Sequence, residues 1–307
     1  MELTGCGTAL VTPFRHDGSL DEHALFSLAQ WQIDSGIHFL VACGTTAETP
    51  TLTYDEWVTV IRIVAEASGG RVPVWAGCTH NSTREAVQRA RVAAKIPGVS
   101  AILTANPYYN KPTQEGQYQH FKAIGEAVDM PVVIYNIPSR TGTNLEPKTI
   151  ARLAQDVPTI QAAKESSGVL SQITELINLL PSNFKVFAGD DPVALPVISV
   201  GGAGLVSVAS NEIPSEMAEM VNAALQNEWS IARRINRKFY PLMLANFWET
   251  SPSPVKYVME LMGKINSTVR LPLVPPQPET RRRLERLAGE LGLLKFAPAP
   301  EGDMRMF

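Results

Sequence analysis

The sequence contains few residues of the kinds that build metal sites, disulfide frameworks or membrane spans. Its three cysteines, Cys6, Cys43 and Cys78, are odd in number and widely spaced, so we expect small buried thiols rather than disulfides or zinc ligands. The five histidines lack H-E-x-x-H or any comparable ligand spacing. No window reaches the roughly 18 uninterrupted apolar residues of a membrane-spanning helix. We therefore expect no metal site, no cofactor bound through a metal ion and no membrane segment.

Charge of either sign is also limited, at 19% of the residues, and the net charge is only −3. There is no basic arm and no block of like charges, so neither nucleic acid nor an anionic membrane is expected as a partner. The amino-terminal residues lack the basic region and long apolar core of a signal peptide. With 45% hydrophobic residues, we expect a globular protein of the cytoplasm.

Short apolar segments rich in β-forming residues recur through the first two thirds of the chain. Segments with helical periodicity separate them, and one of these begins with a Thr-x-x-Glu capping box at Thr53 and Glu56. Alternating strands and helices predict parallel βαβ units. Eight strands favour an α/β fold of the (β/α)8 TIM-barrel class over an open dinucleotide-binding sheet, since no G-x-G-x-x-G follows the first strand. The predicted strands are 6–12, 37–43, 72–77, 99–104, 131–136, 159–164, 185–189 and 204–210.

Beyond residue 210 the pattern contains amphipathic helices and no convincing strand. Four helices are predicted, within 213–227, 228–249, 254–264 and 278–294. The first completes the barrel. We therefore predict a catalytic barrel over 1–225, a helical extension over 226–295 and a loosely held tail over 296–307.

The segment TIQAAKESSG, residues 159–168, ends an apolar strand on Lys164. One interpretation is a lysine that keeps its stem on the core and its ammonium in water. The other is a desolvated lysine that acts as a nucleophile. The segment alone does not separate the two, and strand-end charges are common.

The other strand ends favour the nucleophile, because chemistry in this fold lies at the carboxyl ends of the strands. These ends supply hydroxyl groups, an arginine and glycines, whereas carboxylates are scarce. Glu48 and Glu165 are the main exceptions, and Glu165 is expected to face away from Lys164 because strand side chains alternate. Glycosidase chemistry needs two opposed acids and is therefore disfavoured. A Schiff base formed by lysine attack on a ketone fits better.

Several motifs together resemble one known family. They are TALVTPF, GTTAE, PYYNKPTQEGQYQHF, YNIPSRTG, AAKESSG, GDD, GGAGLVSVASN and SPSPVKYVMELMG, in this order. The chain is similar over about residues 3–295 to the dihydrodipicolinate synthase family, within the pyruvate-dependent class I aldolases. The resemblance implies a Schiff-base lyase of lysine and diaminopimelate biosynthesis that condenses pyruvate with L-aspartate 4-semialdehyde and needs no cofactor.

The resemblance also implies roles for individual residues. Lys164 would form the imine with pyruvate, and Tyr135 would transfer protons at that imine. Thr45 would connect Tyr135 to Tyr109, which in the family comes from the neighbouring subunit. The site would then be complete only in a homodimer at least, and a homotetramer built as a dimer of dimers is expected. The substrate-binding residues would be Thr46 for the pyruvate carboxylate, Arg140 for the second carboxylate, and the backbone of Gly189 and Val206.

The chain departs from the family pattern at Ala47, where the family usually has glycine, and a positive φ there would restrict the turn. The resemblance also suggests an allosteric lysine site. Asn81 and Glu85 are spaced one helical turn apart, Tyr108 lies near them in the family arrangement, and Trp57 stands where several relatives have histidine.

Alternatives remain open at this stage. Tyr108 and Tyr109 could instead form an aromatic pair at an interface, which we favour for Tyr108. Arg140 could bond carbonyls of its own loop, and Thr45 and Thr46 could cap the next turn. The alternative functions are another pyruvate-dependent aldolase or lyase of the sugar-acid or N-acetylneuraminate type, and a non-catalytic barrel that binds a ligand.

Overall fold

Eight parallel strands close into a barrel in the computed structural model, which describes residues 3–294. They are hydrogen-bonded in chain order, and β8 returns to pair with β1, so the predicted TIM barrel is confirmed. The strands are β1 (Gly5–Ala9), β2 (Phe39–Ala42), β3 (Val74–Gly77), β4 (Val99–Ala105), β5 (Val132–Asn136), β6 (Ile160–Glu165), β7 (Lys185–Ala188) and β8 (Gly204–Ser207).

Helices follow the strands and surround the barrel, and three more follow the helix after β8. All four helices predicted beyond residue 210 are present as α9 to α12. The division at residue 225 stays a prediction, and the tail over 296–307 lies outside the described residues. The helices are α1 (Glu22–Asp34), α2 (Tyr54–Ser68), α3 (Thr83–Ala93), α4 (Gln114–Gly125), α5 (Pro138–Thr141), α6 (Pro147–Asp156), α7 (Leu170–Leu179), α8 (Ala194–Ser199), α9 (Pro214–Leu225), α10 (Trp229–Ala245), α11 (Ser253–Leu261) and α12 (Pro278–Glu290).

Helix α2 shows how local sequence sets an element's limits. The Thr53 hydroxyl accepts a hydrogen bond from the Glu56 amide at 3.2 Å, and the Glu56 carboxylate accepts one from the Thr53 amide at 2.9 Å. This reciprocal pair satisfies two amides that the first helical turn leaves free. The helix ends at Gly69, whose φ of +54° suits a residue without a side chain.

Two layers of apolar side chains hold the barrel together. The inner layer contains Phe39, Trp75 and Phe187, all at most 2% exposed. The rings of Phe39 and Trp75 stack with centroids 4.0 Å apart, and Phe187 meets both edge-on at 5.5 and 5.4 Å. The outer layer lies between the strands and the helices and includes the three cysteines, which are free and buried as predicted. Because side chains fill the interior, the strand ends are the places left for chemistry.

The carboxyl-terminal helices are tied to the loop after β2 by buried charge. The Lys256 ammonium, on α11, donates to Glu48 at 2.7 Å and to the Thr12 carbonyl at 2.9 Å. Arg270 donates its backbone amide to the second Glu48 oxygen at 3.0 Å and pairs its guanidinium with Glu56. The extension therefore packs directly behind the loop that carries Thr45 and Thr46. Within residues 3–294, no helix combines the length and apolarity needed to cross a bilayer.

Candidate active site

Lys164 and Tyr135 lie side by side at the carboxyl ends of β6 and β5. The two residues are register partners in the parallel pair, so both side chains point into the barrel mouth. The Lys164 ammonium lies 4.0 Å from the centre of the Tyr135 ring, and both residues are 5% exposed. The lysine is therefore buried against a phenol, so the interpretation in which its ammonium stays in water does not describe it.

Lys164 opens onto a cavity of about 510 Å³. Six of the residues predicted for catalysis or substrate binding line this one cavity: Thr45, Thr46, Tyr135, Arg140, Lys164 and Gly189. They come from β2, β5, β6 and β7 or the loops that follow them. A volume of this size suits a small ligand that meets several polar groups at once.

Gly189 gives Lys164 the space it occupies. A Cβ built at Gly189 would lie 2.0 Å from the Ser166 hydroxyl oxygen and 2.8 Å from Cε of Lys164, so any larger residue would displace the lysine stem. Val206, by contrast, is fully buried in the barrel interior and does not line the cavity. The residue from the end of β8 that lines it is Val208, two positions further along.

Glu165 faces the helix layer, as the alternation of strand side chains predicts. Its carboxylate accepts hydrogen bonds from the Asn136 amide at 3.0 and 3.2 Å and from the Ser167 backbone at 2.6 Å. Burial raises the pKa of this carboxyl, although those hydrogen bonds oppose the shift. Lys164 and Glu165 are chain neighbours on opposite sides of the barrel wall.

Thr45 and Thr46 sit in a short 3-10 turn, residues 45–47, directly after β2. The turn is held on both sides: the Thr49 hydroxyl donates to the Gly44 carbonyl and the Thr12 hydroxyl to the Ala47 carbonyl, each at 2.8 Å. The left-handed backbone falls on Glu48, with φ of +55°, and not on Ala47. The alanine at position 47 therefore meets no backbone restriction.

Arg140 lies on the short helix α5 at the rim. Its guanidinium donates a hydrogen bond to the Ser251 carbonyl at 3.3 Å, in the segment before α11 and not in its own loop. Arg140 also lines a second cavity of about 390 Å³ beside the first, and Thr45 is shared by both.

The second cavity contains part of the predicted lysine site. Tyr108 lines it, whereas Asn81 and Glu85 do not. Trp57 is buried beneath it and donates its indole N–H to the Gly77 carbonyl at 2.9 Å. The residue that reaches the cavity there is Arg89, whose guanidinium lies 5.5 Å from the Trp57 ring centre.

Tyr109 lines neither cavity. It is 87% exposed and has a φ of +73°, which is uncommon for a residue with a large side chain. Within its own chain, the Tyr109 phenol is therefore exposed to solvent at the rim beside the two cavities.

Sequence reasoning missed two groups in the Lys164 cavity, Ser166 and Asp190. Ser166 carries a buried hydroxyl oxygen without a hydrogen-bond partner among the described residues. Asp190 is half-buried, and burial followed by the neighbouring Asp191 charge raises its pKa to about 6. The GDD motif after β7 is the signal in the sequence that indicates Asp190. Within residues 3–294 no three His, Cys, Asp or Glu side chains converge as metal ligands.

Comparison with known proteins identifies the family of the chain. Residues 2–291 match the model of the dihydrodipicolinate synthetase family. The chain is 65% identical over 301 residues to the 4-hydroxy-tetrahydrodipicolinate synthase of Acidobacterium capsulatum, covering 98% of this chain and 100% of the relative. It is 58% identical to the enzyme of the same name from Koribacter versatilis, covering 97% and 99%.

A solved structure of the same family has the same fold. The chloride-inhibited dihydrodipicolinate synthase of Acinetobacter baumannii, crystallised with pyruvate, superposes with a TM-score of 0.93 at 38% identity, covering 95% of this chain and 100% of that one. The match of the family model over nearly the whole chain and the high identity to these relatives lead to one conclusion: the chain belongs to the dihydrodipicolinate synthetase family.

Proposed function

We propose that the chain is a 4-hydroxy-tetrahydrodipicolinate synthase that condenses pyruvate with L-aspartate 4-semialdehyde through an imine on Lys164. The observation that carries the proposal is the buried Lys164 ammonium beside the Tyr135 ring, in a cavity that also contains Thr45, Thr46 and Arg140. The names of the curated relatives, which extend over almost the whole chain, support the same activity.

The reaction begins when the neutral amine of Lys164 attacks the ketone carbon of pyruvate and water leaves. The resulting imine loses a proton from the methyl carbon and becomes an enamine. The enamine carbon then attacks the aldehyde carbon of the second substrate, forming the new carbon–carbon bond. Finally the substrate's own amine attacks the imine carbon, closes the ring and releases Lys164. Covalent catalysis of this kind divides one difficult condensation into easier steps.

Tyr135 moves the protons of these steps, because its phenol shares the cavity with the lysine. Thr45 lines both cavities, so its hydroxyl can pass protons between Tyr135 and a further hydroxyl group at the second cavity. We assign that hydroxyl to the partner subunit's Tyr109. Exposure of 87% and a left-handed backbone fit a side chain that is presented to another molecule. A homodimer at least follows, and a homotetramer built from two dimers is the proposed assembly.

Two groups hold the carboxylates of the substrates. Thr46, at 6% exposure, places its hydroxyl in the cavity wall for pyruvate. Arg140 stands at the rim, where a planar guanidinium can bind the carboxylate of the incoming aldehyde in a bidentate manner. The backbone of Gly189 borders the lysine between them.

Trapping of the imine tests this function. Incubation with pyruvate and borohydride should reduce the imine and leave a pyruvyl group on Lys164, which peptide mass spectrometry locates. The Lys164→Ala variant should carry no adduct. Absence of an adduct from the unmodified enzyme would exclude the Schiff-base mechanism. A panel of aldehydes then separates the synthase from a sugar-acid lyase, because only the synthase should prefer aspartate 4-semialdehyde.

Regulation by L-lysine is also proposed, at the second cavity. Its support is the position of Tyr108 in the cavity wall, with Asn81 and Glu85 in the neighbouring segment. Isothermal titration with L-lysine should give heat and a lower rate. A titration without heat and without a change in rate would contradict it.

A further inference from the structure

Asp190 is an unpartnered carboxylate in the wall of the Lys164 cavity. It follows Gly189 directly after β7 and precedes a short 3-10 turn without capping that turn. Across residues 3–294, no hydrogen bond to its carboxylate and no ion pair within 4.0 Å is found. A half-buried charge without a partner is costly, and such a group is best explained by a ligand that supplies the partner.

The neighbouring carboxylates are used differently. Asp191 is 1% exposed and accepts hydrogen bonds from the Ser207 hydroxyl at 2.5 Å and from the amides of Val208 and Ala209 at 3.0 and 3.2 Å. It therefore fixes the end of β8. Glu249 also borders the cavity, but its carboxylate accepts the Gln277 amide at 2.9 Å. Asp190 alone of the three has no structural bond to maintain.

Lys164 acts on Asp190 through charge, since its ammonium lowers the pKa of that carboxyl while burial and Asp191 raise it. The two groups are thus near each other but farther apart than a direct ion pair. The remaining charges that border the cavity are Arg140 and Glu249. With a pKa of about 6, Asp190 is ionised at neutral pH and still basic enough to take a proton there.

We propose that the Asp190 carboxylate binds the α-ammonium of the amino-aldehyde substrate and removes the proton that this nitrogen must lose before ring closure. This role rests on the proposed function, because only that reaction ends with attack by the substrate's amine. An ammonium has no lone pair and cannot attack a carbon. A carboxylate beside Lys164 supplies the missing base at the place where the amine must arrive.

The protons of the ring closure can be followed one by one. The ammonium passes one proton to Asp190, and the freed lone pair forms a bond to the imine carbon. The electrons of the C=N bond move to Nζ of Lys164. The imine nitrogen carries a proton when it is attacked, and Asp190 adds a second proton to Nζ, so Lys164 leaves as a neutral amine when the carbon–Nζ bond breaks. The ring nitrogen forms its own C=N bond as Lys164 leaves, and its two remaining protons go to solvent. Asp190 is again a carboxylate, and the lysine is a free amine.

The same contact contributes specificity. Arg140 would hold the α-carboxylate of the substrate and Asp190 its α-ammonium, so the cavity would recognise an amino acid at two points. A sugar aldehyde offers no ammonium, so its binding would leave the Asp190 charge unpaired inside the site. An unpaired buried group lowers affinity strongly, and the site should therefore select the amino-aldehyde over the sugar aldehyde.

The Asp190→Asn variant tests the proposal, with Asp34→Asn as a control of equal charge change at an exposed carboxylate remote from the barrel mouth. With pyruvate alone, borohydride should trap the pyruvyl group on Lys164 in both variants at the unmodified yield. With both substrates, turnover of Asp190→Asn at pH 7 should fall roughly 100-fold or more, the range for loss of a general base. An adduct that contains both substrate halves should then accumulate on Lys164.

The pH dependence of turnover in Asp190→Asn separates this role from a purely structural one, which would give a loss that does not vary with pH. The deficit of Asp190→Asn should shrink as pH rises, because the substrate's ammonium then loses its proton to solvent without help. Should the amide variant be poorly folded, Asp190→Ala with added acetate should regain activity. Normal turnover in Asp190→Asn would overturn the proposal. So would a loss of turnover that is constant with pH and is not accompanied by the adduct that contains both substrate halves. Failure of the proposed function looks different, since the unmodified enzyme would then form no pyruvyl adduct at all.

Discussion

The Lys256 ammonium lies 2.7 Å from a carboxylate oxygen of Glu48, and neither side chain is exposed to solvent. The two residues are 208 positions apart, yet they join α11 to the turn that follows β2. The Phe14 ring covers the ammonium at 4.4 Å, and the Thr12 carbonyl accepts a second hydrogen bond from it. Because Glu48 directly follows the turn of Thr45 and Thr46, this pair fixes the position of two residues in the proposed active site.

The first prediction concerns this pair. Lys256→Met should destabilise the protein by about 3–5 kcal/mol, because it leaves the Glu48 carboxylate buried without its ammonium. Arg71→Met is the matched control: it breaks an ion pair with Asp34 whose side chains are 46% and 65% exposed, and it should cost at most about 1 kcal/mol. Urea unfolding of both variants measures the difference. Similar losses in the two would show that the buried pair has no special role.

The second prediction concerns His120 and acid stability. Burial, and then the charge of nearby His80, lower the pKa of His120 to about 4. Its Nδ1 lies 3.0 Å from the Thr83 hydroxyl, and its Nε2 is buried without a partner among the described residues. The unfolded chain binds a proton at this histidine below about pH 6.5, whereas the folded protein does so only near pH 4, so stability is lost as pH falls through this window.

The loss from His120 should reach roughly 2 kcal/mol between pH 7 and pH 5. His120→Gln should flatten the dependence of the unfolding midpoint on pH in this range, whereas His23→Gln, at an exposed histidine of α1, should leave it unchanged. Equal slopes for all three proteins would contradict the prediction.

The third prediction concerns the space beside the lysine. Gly189→Ala places a Cβ 2.8 Å from Cε of Lys164 and should slow imine formation about 100-fold by displacing the amine. Gly289→Ala is the control, since a Cβ there meets its nearest atom at an ordinary 3.5 Å within α12. The rate of borohydride trapping with pyruvate measures the effect. Unaltered trapping in Gly189→Ala would mean that Lys164 does not need its present position.

The fourth prediction concerns the proposed sharing of Tyr109 between subunits. Lys164→Ala and Tyr109→Phe should each be nearly inactive alone. Mixed dimers contain one site with both intact residues, so unfolding and refolding the two variants together should restore roughly a quarter of the unmodified activity if the interface is isologous. If activity does not return although mixed dimers form, each site takes its tyrosine from its own chain.

The sequence predicted the architecture well because the determinants of the barrel are local. Period-2 and helical patterns, the Thr53 and Glu56 capping box and the alternation around Lys164 each depend on neighbouring residues. Six residues that the motifs predicted for the site line one cavity. What escaped prediction depends on contacts distant along the chain. Glu48 was noted as a strand-end acid, but nothing near it indicated a lysine on α11.

Two smaller differences have the same origin. The Val206 side chain is buried in the barrel interior, and Val208, two residues further along, lines the cavity. Asp190 and Asp191 are chain neighbours of one chemical type, and only the three-dimensional surroundings show that Asp191 is bonded and Asp190 is not. Trp57 likewise lies beneath Arg89, which the spacing of the motif did not reveal.

The barrel wall between Lys164 and Glu165 has a consequence for reactivity. Two opposite charges occupy adjacent positions, and direct contact would hold the lysine as an ammonium in a stable pair, which is chemically inert as a nucleophile. The pleat of a single strand prevents this contact, because Lys164 lines the cavity at the barrel mouth and Glu165 is bonded to Asn136 on the other side. The strand therefore keeps the two charges apart although they are adjacent in the chain. Inserting or deleting one residue within β6 would exchange the two faces and place an acid where the amine must react.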